Sequence, residues 1–376
     1  MSFVFQTTRS VLCEPGSSAR IGALAAGLGC RKVAFITDRT VLDLGLATPA
    51  LDGLKAAGIE VWLCAEVQPD PPESILLAAV EEAKRQGVDG VVSVGGGSSM
   101  DTAKLVAVLT RAEQPLSEMY GVGLVTGDRL PLILAPTTAG TGSEVTPISI
   151  ITIGENDKKG VVSPQLLPDW AVLDAELTMG LPRAVTAATG IDAMVHAIEA
   201  YTTKLKKNPV SDCLAREALR LLAGNIRTAC FEPGNVEARS NMLLGSMLAG
   251  MAFANAPCAA VHALAYPLGG FFHVPHGLSN ALVLPFVLDY NMPVAEALYD
   301  EIAPIIFPGT RGAGLPEAFV ALREELGMPT TLREVGISHN HLPMMVENAM
   351  TQTRLLVNNP REMTPEAALE VYEKAL

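Results

Sequence analysis

From about residue 30 the chain alternates short apolar runs with amphipathic stretches. KVAFIT (Lys32–Thr37), EVWLC (Glu60–Cys64), DGVVSV (Asp89–Val94) and PLILA (Pro131–Ala135) have the length and side chains of buried strands. Between them, TPALDGLKAAG and ESILLAAVEEAKRQG have helical spacing and end in glycine, as helices often do. Strand and helix in repetition predict a doubly wound parallel sheet. Beyond LDAELTMGLP (Leu173–Pro182) the strand pattern stops, and AREALRLLAGNIRTA, NMLLGSMLAGMAFAN and PEAFVALREELG are helical, broken at Pro and Gly. The expectation is α/β plus all-α, with an α/β domain over residues 1–180 and a helical domain over 181–376.

A chain of 376 residues exceeds one compact core, in keeping with two domains. Hydrophobic residues make up 49% and charged residues 18%, which excludes disorder and favours an extensive interior or a buried subunit contact. The net charge of −13, without any cluster of Lys and Arg, speaks against nucleic acid, so the expected partners are small molecules and further copies of the chain. Six scattered cysteines without a C-x-x-C pair suggest reduced thiols. The opening MSFVFQTTRSVLCEPG lacks the charged segment and apolar run of a secretory leader, and a cytoplasmic location is expected. No Asp, Glu, Lys or Arg occurs from Ser240 through Leu288, yet Asn255, Pro257, His262, Pro267, His273, Pro275 and His276 within it predict a buried helical core, not a membrane span.

Doubly wound sheets bind ligands at the carboxyl ends of their strands. After the third run comes GGGSSMDTAK (Gly95–Lys104), in which glycines admit a close ligand and Ser98 or Ser99 is placed to cap a helix whose N-terminus faces an anion such as pyrophosphate. A tight turn is the plainer reading of the same glycines. Asp38, after the first run, is placed either to accept from ribose hydroxyls, favouring NAD over NADP, or to cap a helix. PTTAGTGSEVT (Pro136–Thr146), after the fourth, has the composition of a cofactor loop or of any flexible one.

Within the helical half, GIDAMVHAIEAYTT (Gly190–Thr203) places Asp192 and His196 four apart on one face. Alone, such a pair is a surface ion pair or a buried hydrogen bond. With His262 and His276, from AVHALAYPLGGFFHVPHG, it becomes one oxygen and three nitrogen donors, a set for Fe²⁺ or Zn²⁺ that leaves a position for substrate. His273 rivals His276 as a ligand or proton relay, and His339 and His341 read as loop residues. Phe253 and Phe272 read as an apolar substrate pocket or as core.

GGGSSMDTAK, PTTAGTGSEVT, GIDAMVHAIEAYTT and HALAYPLGGFFHVPHGLSNALVLPFVLDYN, in this order and spacing, resemble the iron-containing (group III) alcohol dehydrogenases nearly end to end. The resemblance implies an N-terminal Rossmann-like domain, a C-terminal helical domain and an active site in the cleft between them. It implies metal ligands at Asp192, His196, His262 and His276, and cofactor contacts at Asp38, Gly96, Gly97, Ser98, Asp101, Thr137, Thr138 and Lys158, with Lys159 as a substitute. Two positions depart from the family pattern. Tyr266 stands where many members carry a second histidine near the nicotinamide, and Asp70 stands where Asn is common in the cofactor site. The implied activity is NAD(H)-dependent interconversion of a small alcohol with its aldehyde or ketone by a homodimer or larger homo-oligomer. Alternatives are a hydroxy-acid dehydrogenase, a maleylacetate-reductase-like enzyme, which four intact metal positions disfavour, and a dehydroquinate-synthase-like lyase, which should need basic residues that Ser240–Leu288 lacks. A nucleotide-binding scaffold would leave the cage vacant.

Overall fold

The computed structural model describes residues 2–154 and 157–376, in two compact units. The first comprises residues 6–138 and Gly142–Met179; the second comprises the segment up to Phe5, Ala139–Thr141 and Gly180–Leu376.

In the first unit lie the strands β1 (Ser10–Cys13), β2 (Lys32–Ile36), β3 (Glu60–Cys64), β4 (Gly90–Gly95), β5 (Gly121–Val122), β6 (Leu132–Pro136), β7 (Ile148–Ile153), β8 (Asp157–Val162) and β9 (Trp170–Leu173). Its helices are α1 (Ile21–Gly27), α2 (Arg39–Asp43), α3 (Thr48–Ala56), α4 (Glu73–Gln86) and α5 (Gly97–Leu109). Six strands pair in parallel in the order β1-β9-β6-β4-β2-β3, and β5, β8 and β7 form a smaller sheet. The central strands alternate between two cores. Ala34, Ile36, Val91, Leu132 and Leu134 pack with Leu76, Val80 and Met100 of α4 and α5, whereas Val33, Phe35, Val92, Val94 and Ile133 pack with Ile21, Ala50 and Leu54 of α1 and α3. Burial on both faces is why these strands are continuously apolar.

The chain runs from β2 outward to β3 and returns to β4 on the other side of β2, so β2 and β4 flank the point where strand order reverses, the place where open α/β sheets take ligands. The segments after β4 and β6 are tied together from beneath. Lys104 of α5 is fully buried and donates to Ser143 Oγ (2.7 Å), Thr146 Oγ1 (3.3 Å) and Ile148 O (2.7 Å), while Asp101 one turn earlier accepts from Ser143 Oγ (2.6 Å) and Ile150 N (2.9 Å).

The second unit is helical: α6 (Arg183–Thr202), α7 (Pro209–Phe231), α8 (Val236–Asn255), α9 (Ala260–Phe272), α10 (His276–Ile306), α11 (Leu315–Glu325), α12 (Leu342–Met350), α13 (Thr353–Leu356) and α14 (Pro365–Ala375). Asn208, Asn235 and Thr364 accept from Ser211 N, Ala238 N and Ala367 N and so start α7, α8 and α14. Nearly all of α6 from Gly190 onward is buried, and α10 is long and apolar enough to cross a membrane by composition alone, with Pro285, Pro293 and Pro304 inside it. The uncharged stretch Ser240–Leu288 supplies most of α8, all of α9 and the start of α10, which explains its composition.

Glu144, in the turn after the β6 loop, is buried with neither carboxylate oxygen hydrogen-bonded. Burial pushes its carboxyl up to about 7, against the pull of its own backbone amide and of Lys104. The folded chain thus holds this proton more tightly than the unfolded chain, where Glu titrates near 4.3. Its contribution is complete below about pH 4.3 and is lost as pH rises through 7. Glu144→Gln should therefore gain on the parent protein by roughly 3 kcal/mol between pH 5 and pH 8 in urea unfolding series. A difference that stays constant across that window would contradict the assignment.

Candidate metal centre and dinucleotide site

Helix α6 carries Asp192, His196 and Glu199 at i, i+4 and i+7, on one face of a helix otherwise made of small and aliphatic residues. All three are buried. His262 is the third residue of α9 and His276 the first of α10. The next residue, Gly277, lies so close to α6 that a Cβ on it would stand 2.4 Å from Ala188 O and 3.2 Å from Asp192 Cβ. Only a residue without a side chain lets the start of α10 reach this face.

The result is a cluster in which Asp192, His196, His262 and His276 each offer a donor atom, all within 4.8 Å of one another. His196 Nδ1 lies 3.2 Å from Gly140 O, and His262 Nδ1 lies 2.6 Å from Glu199 Oε2. Carbonyl and carboxylate oxygens only accept, so both Nδ1 atoms carry a proton and Nε2 is the nitrogen each ring has left to offer a metal. Asn280, one turn beyond His276, is buried; its Nδ2 donates to Asp192 Oδ1 (2.6 Å) and lies 3.3 Å from Nε2 of both His262 and His276. Its Oδ1, in contrast, is buried without a partner.

Charge follows from this burial. Desolvation drives His196 down to about 3, so it is neutral at any ordinary pH. Burial also resists ionisation of Asp192, but the imidazoles of His196, His276 and His262 and the Asn280 amide outweigh it and hold the carboxyl below its usual range. At His262 burial disfavours the imidazolium, yet Cys258 and Glu199 carry the ring well above the ordinary histidine value. One carboxylate oxygen and three imidazole nitrogens, with an orphaned amide oxygen beside them, are a donor set suited to a divalent transition metal.

The walls of the cluster are apolar. Phe253 stacks on His196 with ring centroids 4.3 Å apart, and Tyr266 packs with Phe253, Cys258, Ala263, Leu355 and Leu356 while lying 6.2 Å from His276, ring centre to ring centre. Burial pushes the Tyr266 phenol up, which keeps it a hydrogen-bond donor. Phe272, read with Phe253 as pocket or core, packs at a tilt against His341, ring centres 4.9 Å apart. His273 is exposed in left-handed backbone (φ 54°) at the end of α9 and is not among the clustered donors.

The dinucleotide candidates fall into three groups. Gly96, Gly97 and Ser98 are half-buried at the start of α5, whose N-cap is Gly96, without a side-chain cap. The expected capping by Ser98 or Ser99 is therefore corrected: both lie inside the first turn, and no side chain there takes the place of an anion. Thr138 Oγ1 lies 4.0 Å from where a Gly96 Cβ would be, and Thr137 is buried beside it in sequence. Asp38 caps α2 through Val41 N (3.0 Å), as its plainer reading had it, and its other oxygen accepts from Ser99 Oγ at 3.4 Å, next to Gly95. Asp70 and Lys158 pair at 2.6 Å, with Asp70 in left-handed backbone (φ 50°). Lys159 faces Asp157 instead, at 3.9 Å. Asp101 turns inward, its carboxylate engaged by Ser143 and Ile150.

Glu199 and Asn280 are the neighbours of the cage that sequence reasoning passed over. Each lies at helical spacing from a predicted ligand, Glu199 at i+7 from Asp192 and Asn280 at i+4 from His276, and that spacing is the signal that finds them.

Comparison with known proteins points to the same chemistry. The family model for iron-containing alcohol dehydrogenase matches residues 8–175, and that for the C-terminal region of the Fe-containing alcohol dehydrogenase family matches residues 186–376. A sulfoacetaldehyde reductase of Bilophila wadsworthia is 36% identical over 99% of both chains. The crystal structure of a 1,3-propanediol oxidoreductase superposes with a TM-score of 0.96 at 34% identity over 100% of both chains. A sulfoacetaldehyde reductase from Bifidobacterium kashiwanohense, solved in complex with NAD+, superposes with a TM-score of 0.90 at 28% identity over 100% of this chain and 99% of that one.

The tight approach at Gly277 is open to test. Gly277→Ala should force α10 away from α6 and carry His276 with it, costing about 1–3 kcal/mol in the metal-free protein and weakening Co²⁺ binding. Unchanged melting temperature and Co²⁺ affinity would contradict this role for the glycine.

Proposed function

The chain belongs to the iron-containing alcohol dehydrogenase family, and from that premise we propose that it interconverts a small alcohol and its aldehyde or ketone, using NAD(H) and an Fe²⁺ or Zn²⁺ ion held by Asp192, His196, His262 and His276. The observation that carries the reading is the gathering of four donor atoms within 4.8 Å from three helices. When bound, the ion supplies Lewis acidity toward the substrate oxygen and the nicotinamide supplies or accepts the hydride.

The residues of the chain prepare this chemistry. Asp192 offsets part of the charge of a buried dication, and burial keeps His196 neutral so that its lone pair is available at every working pH. Phe253 and Tyr266 exclude water from one side of the cluster, and the Tyr266 phenol, which burial keeps protonated, either donates to the substrate oxygen or shapes its pocket. In the first unit, the uncapped N–H groups at the start of α5 receive the pyrophosphate, with Gly96, Gly97, Ser98, Thr137 and Thr138 around it. Asp38 accepts from the adenosine ribose hydroxyls and repels a 2′-phosphate, and the Asp70–Lys158 pair lies along the same cofactor. Asp101 serves indirectly, by holding the β6 loop. The reading extends to a cytoplasmic homodimer, on the 49% hydrophobic share of the chain.

Elemental analysis tests the metal. The parent protein should carry about one divalent ion per chain, and Asp192→Ala and His262→Ala should lose it together with NADH-linked aldehyde reduction, by on the order of a thousandfold, because Lewis-acid assistance contributes several kcal/mol. Variants that retain both would refute the mechanism. The coenzyme is tested separately by Asp38→Asn, which keeps the helix cap and removes the charge. The ratio of kcat/KM for NADH over NADPH should exceed one in the parent and fall by about tenfold in the variant, as expected for one attenuated charge repulsion. A parent that turns over faster with NADPH would contradict the role of Asp38.

A further inference from the structure

We propose that Glu199 is the positioning residue of the metal centre: its carboxylate locks the His262 ring with Nε2 turned to the ion and adds the second negative charge that a buried dication requires. The inference rests on the metal-centre reading above and assigns a role to a side chain that is not itself one of the four ligands.

Both carboxylate oxygens of Glu199 are engaged, and both by α9. Oε2 lies 2.6 Å from His262 Nδ1, and Oε1 accepts from Val261 N at 2.7 Å. Val261 is the second residue of α9, whose N-cap Ala259 offers no side-chain cap. One carboxylate thus replaces the missing cap and orients the ring that follows by one residue. A side chain from α6, the helix that already bears Asp192 and His196, sets where α9 begins and how its ligand is turned.

The Nδ1 contacts of His196 on α6 and His262 on α9 are unequal. His196 Nδ1 faces a neutral carbonyl, Gly140 O, whereas His262 Nδ1 faces a carboxylate. A carboxylate on the far nitrogen raises the basicity of the metal-facing one and fixes the tautomer. The charges also balance: Asp192 and Glu199, both buried, together carry −2, matching a divalent ion, while Asp192 alone would leave an uncompensated positive charge in an apolar interior.

The test uses the full-length protein stripped of metal. Glu199→Gln keeps size and shape but offers one acceptor oxygen in place of two and no charge. Zn²⁺ affinity is measured by competition with a chromophoric chelator, the d–d spectrum is recorded for the Co²⁺ form, and the metal-free melting temperature is taken in parallel. The expected result is Zn²⁺ binding weaker by on the order of 10–100-fold and displaced Co²⁺ bands. A lower metal-free melting temperature with unchanged Zn²⁺ affinity and Co²⁺ spectrum would overturn the proposal, since it would leave Glu199 as a helix cap alone. A parent protein that binds no stoichiometric Zn²⁺ would overturn the metal centre and this inference with it, whereas tight binding by parent and variant alike defeats only this inference. Should the variant fail to fold, the Zn²⁺-loaded parent labelled with ¹⁵N-histidine decides the matter. His262 should show Nδ1–H with its proton strongly deshielded, and a ring protonated at Nε2 would be the contrary result.

Discussion

The constraint on which the helical unit depends is the gathering, in one place, of a buried carboxylate and three imidazoles, two of them buried as well. Removing Asp192 from water is unfavourable unless charge or hydrogen bonds replace its hydration. Asn280 relieves this in part by donating to Asp192, yet leaves its own oxygen without a partner. A dication removes every one of these difficulties at once. The cluster is thus high in energy when considered as protein alone and low when considered as a ligand set. The fold sustains it through the surrounding apolar helices and the close approach at Gly277. Protein interiors tolerate such arrangements mainly where function needs them.

The α/β unit solves a simpler problem. Continuous apolar runs force strands into a sheet covered on both faces, and a sheet wound in two directions leaves a reversal point at its carboxyl edge. Polar and glycine-rich residues collect at that edge, in the segments that follow β2, β4 and β6. Lys104, buried beneath, and the half-buried Asp101 hold two of the edge segments in register with each other through hydroxyl and backbone contacts. Under the proposed reading a phosphate bound there would use backbone N–H groups, which no substitution of side chains supplies or removes directly.

Legibility in the sequence followed physical strength. β2, β3, β4 and β6 were readable because each is an apolar run bounded by turn residues, and the helices after Leu181 because their spacing is sustained over many turns. β1 and β9 are four residues each, too short to carry a period, and β8 begins with Asp-Lys-Lys, which no rule of burial would assign to a strand. Asp192, His196, His262 and His276 stood out as polar residues in apolar surroundings. Glu199 and Asn280 stood in the same surroundings at helical spacing, but a reading confined to ligand types passes over groups that act through a neighbour. Asp101 shows a different limit: a motif that advertises a ligand also contains a residue whose carboxylate is engaged by Ser143 and Ile150, and composition alone does not separate the two. Phe272 and His341 illustrate a third limit, a pairing between two segments far apart in sequence that no local pattern encodes.

The central claim is that one divalent ion occupies the cage, and anomalous X-ray scattering from crystals of the protein loaded with Fe²⁺ or Zn²⁺ tests it most directly. Data collected above and below the absorption edge of the metal should place a single strong peak about 2.0–2.2 Å from a carboxylate oxygen of Asp192 and from Nε2 of His196, His262 and His276. A peak elsewhere on the chain, a peak bonded to fewer than three of these atoms, or no peak at all would contradict the account.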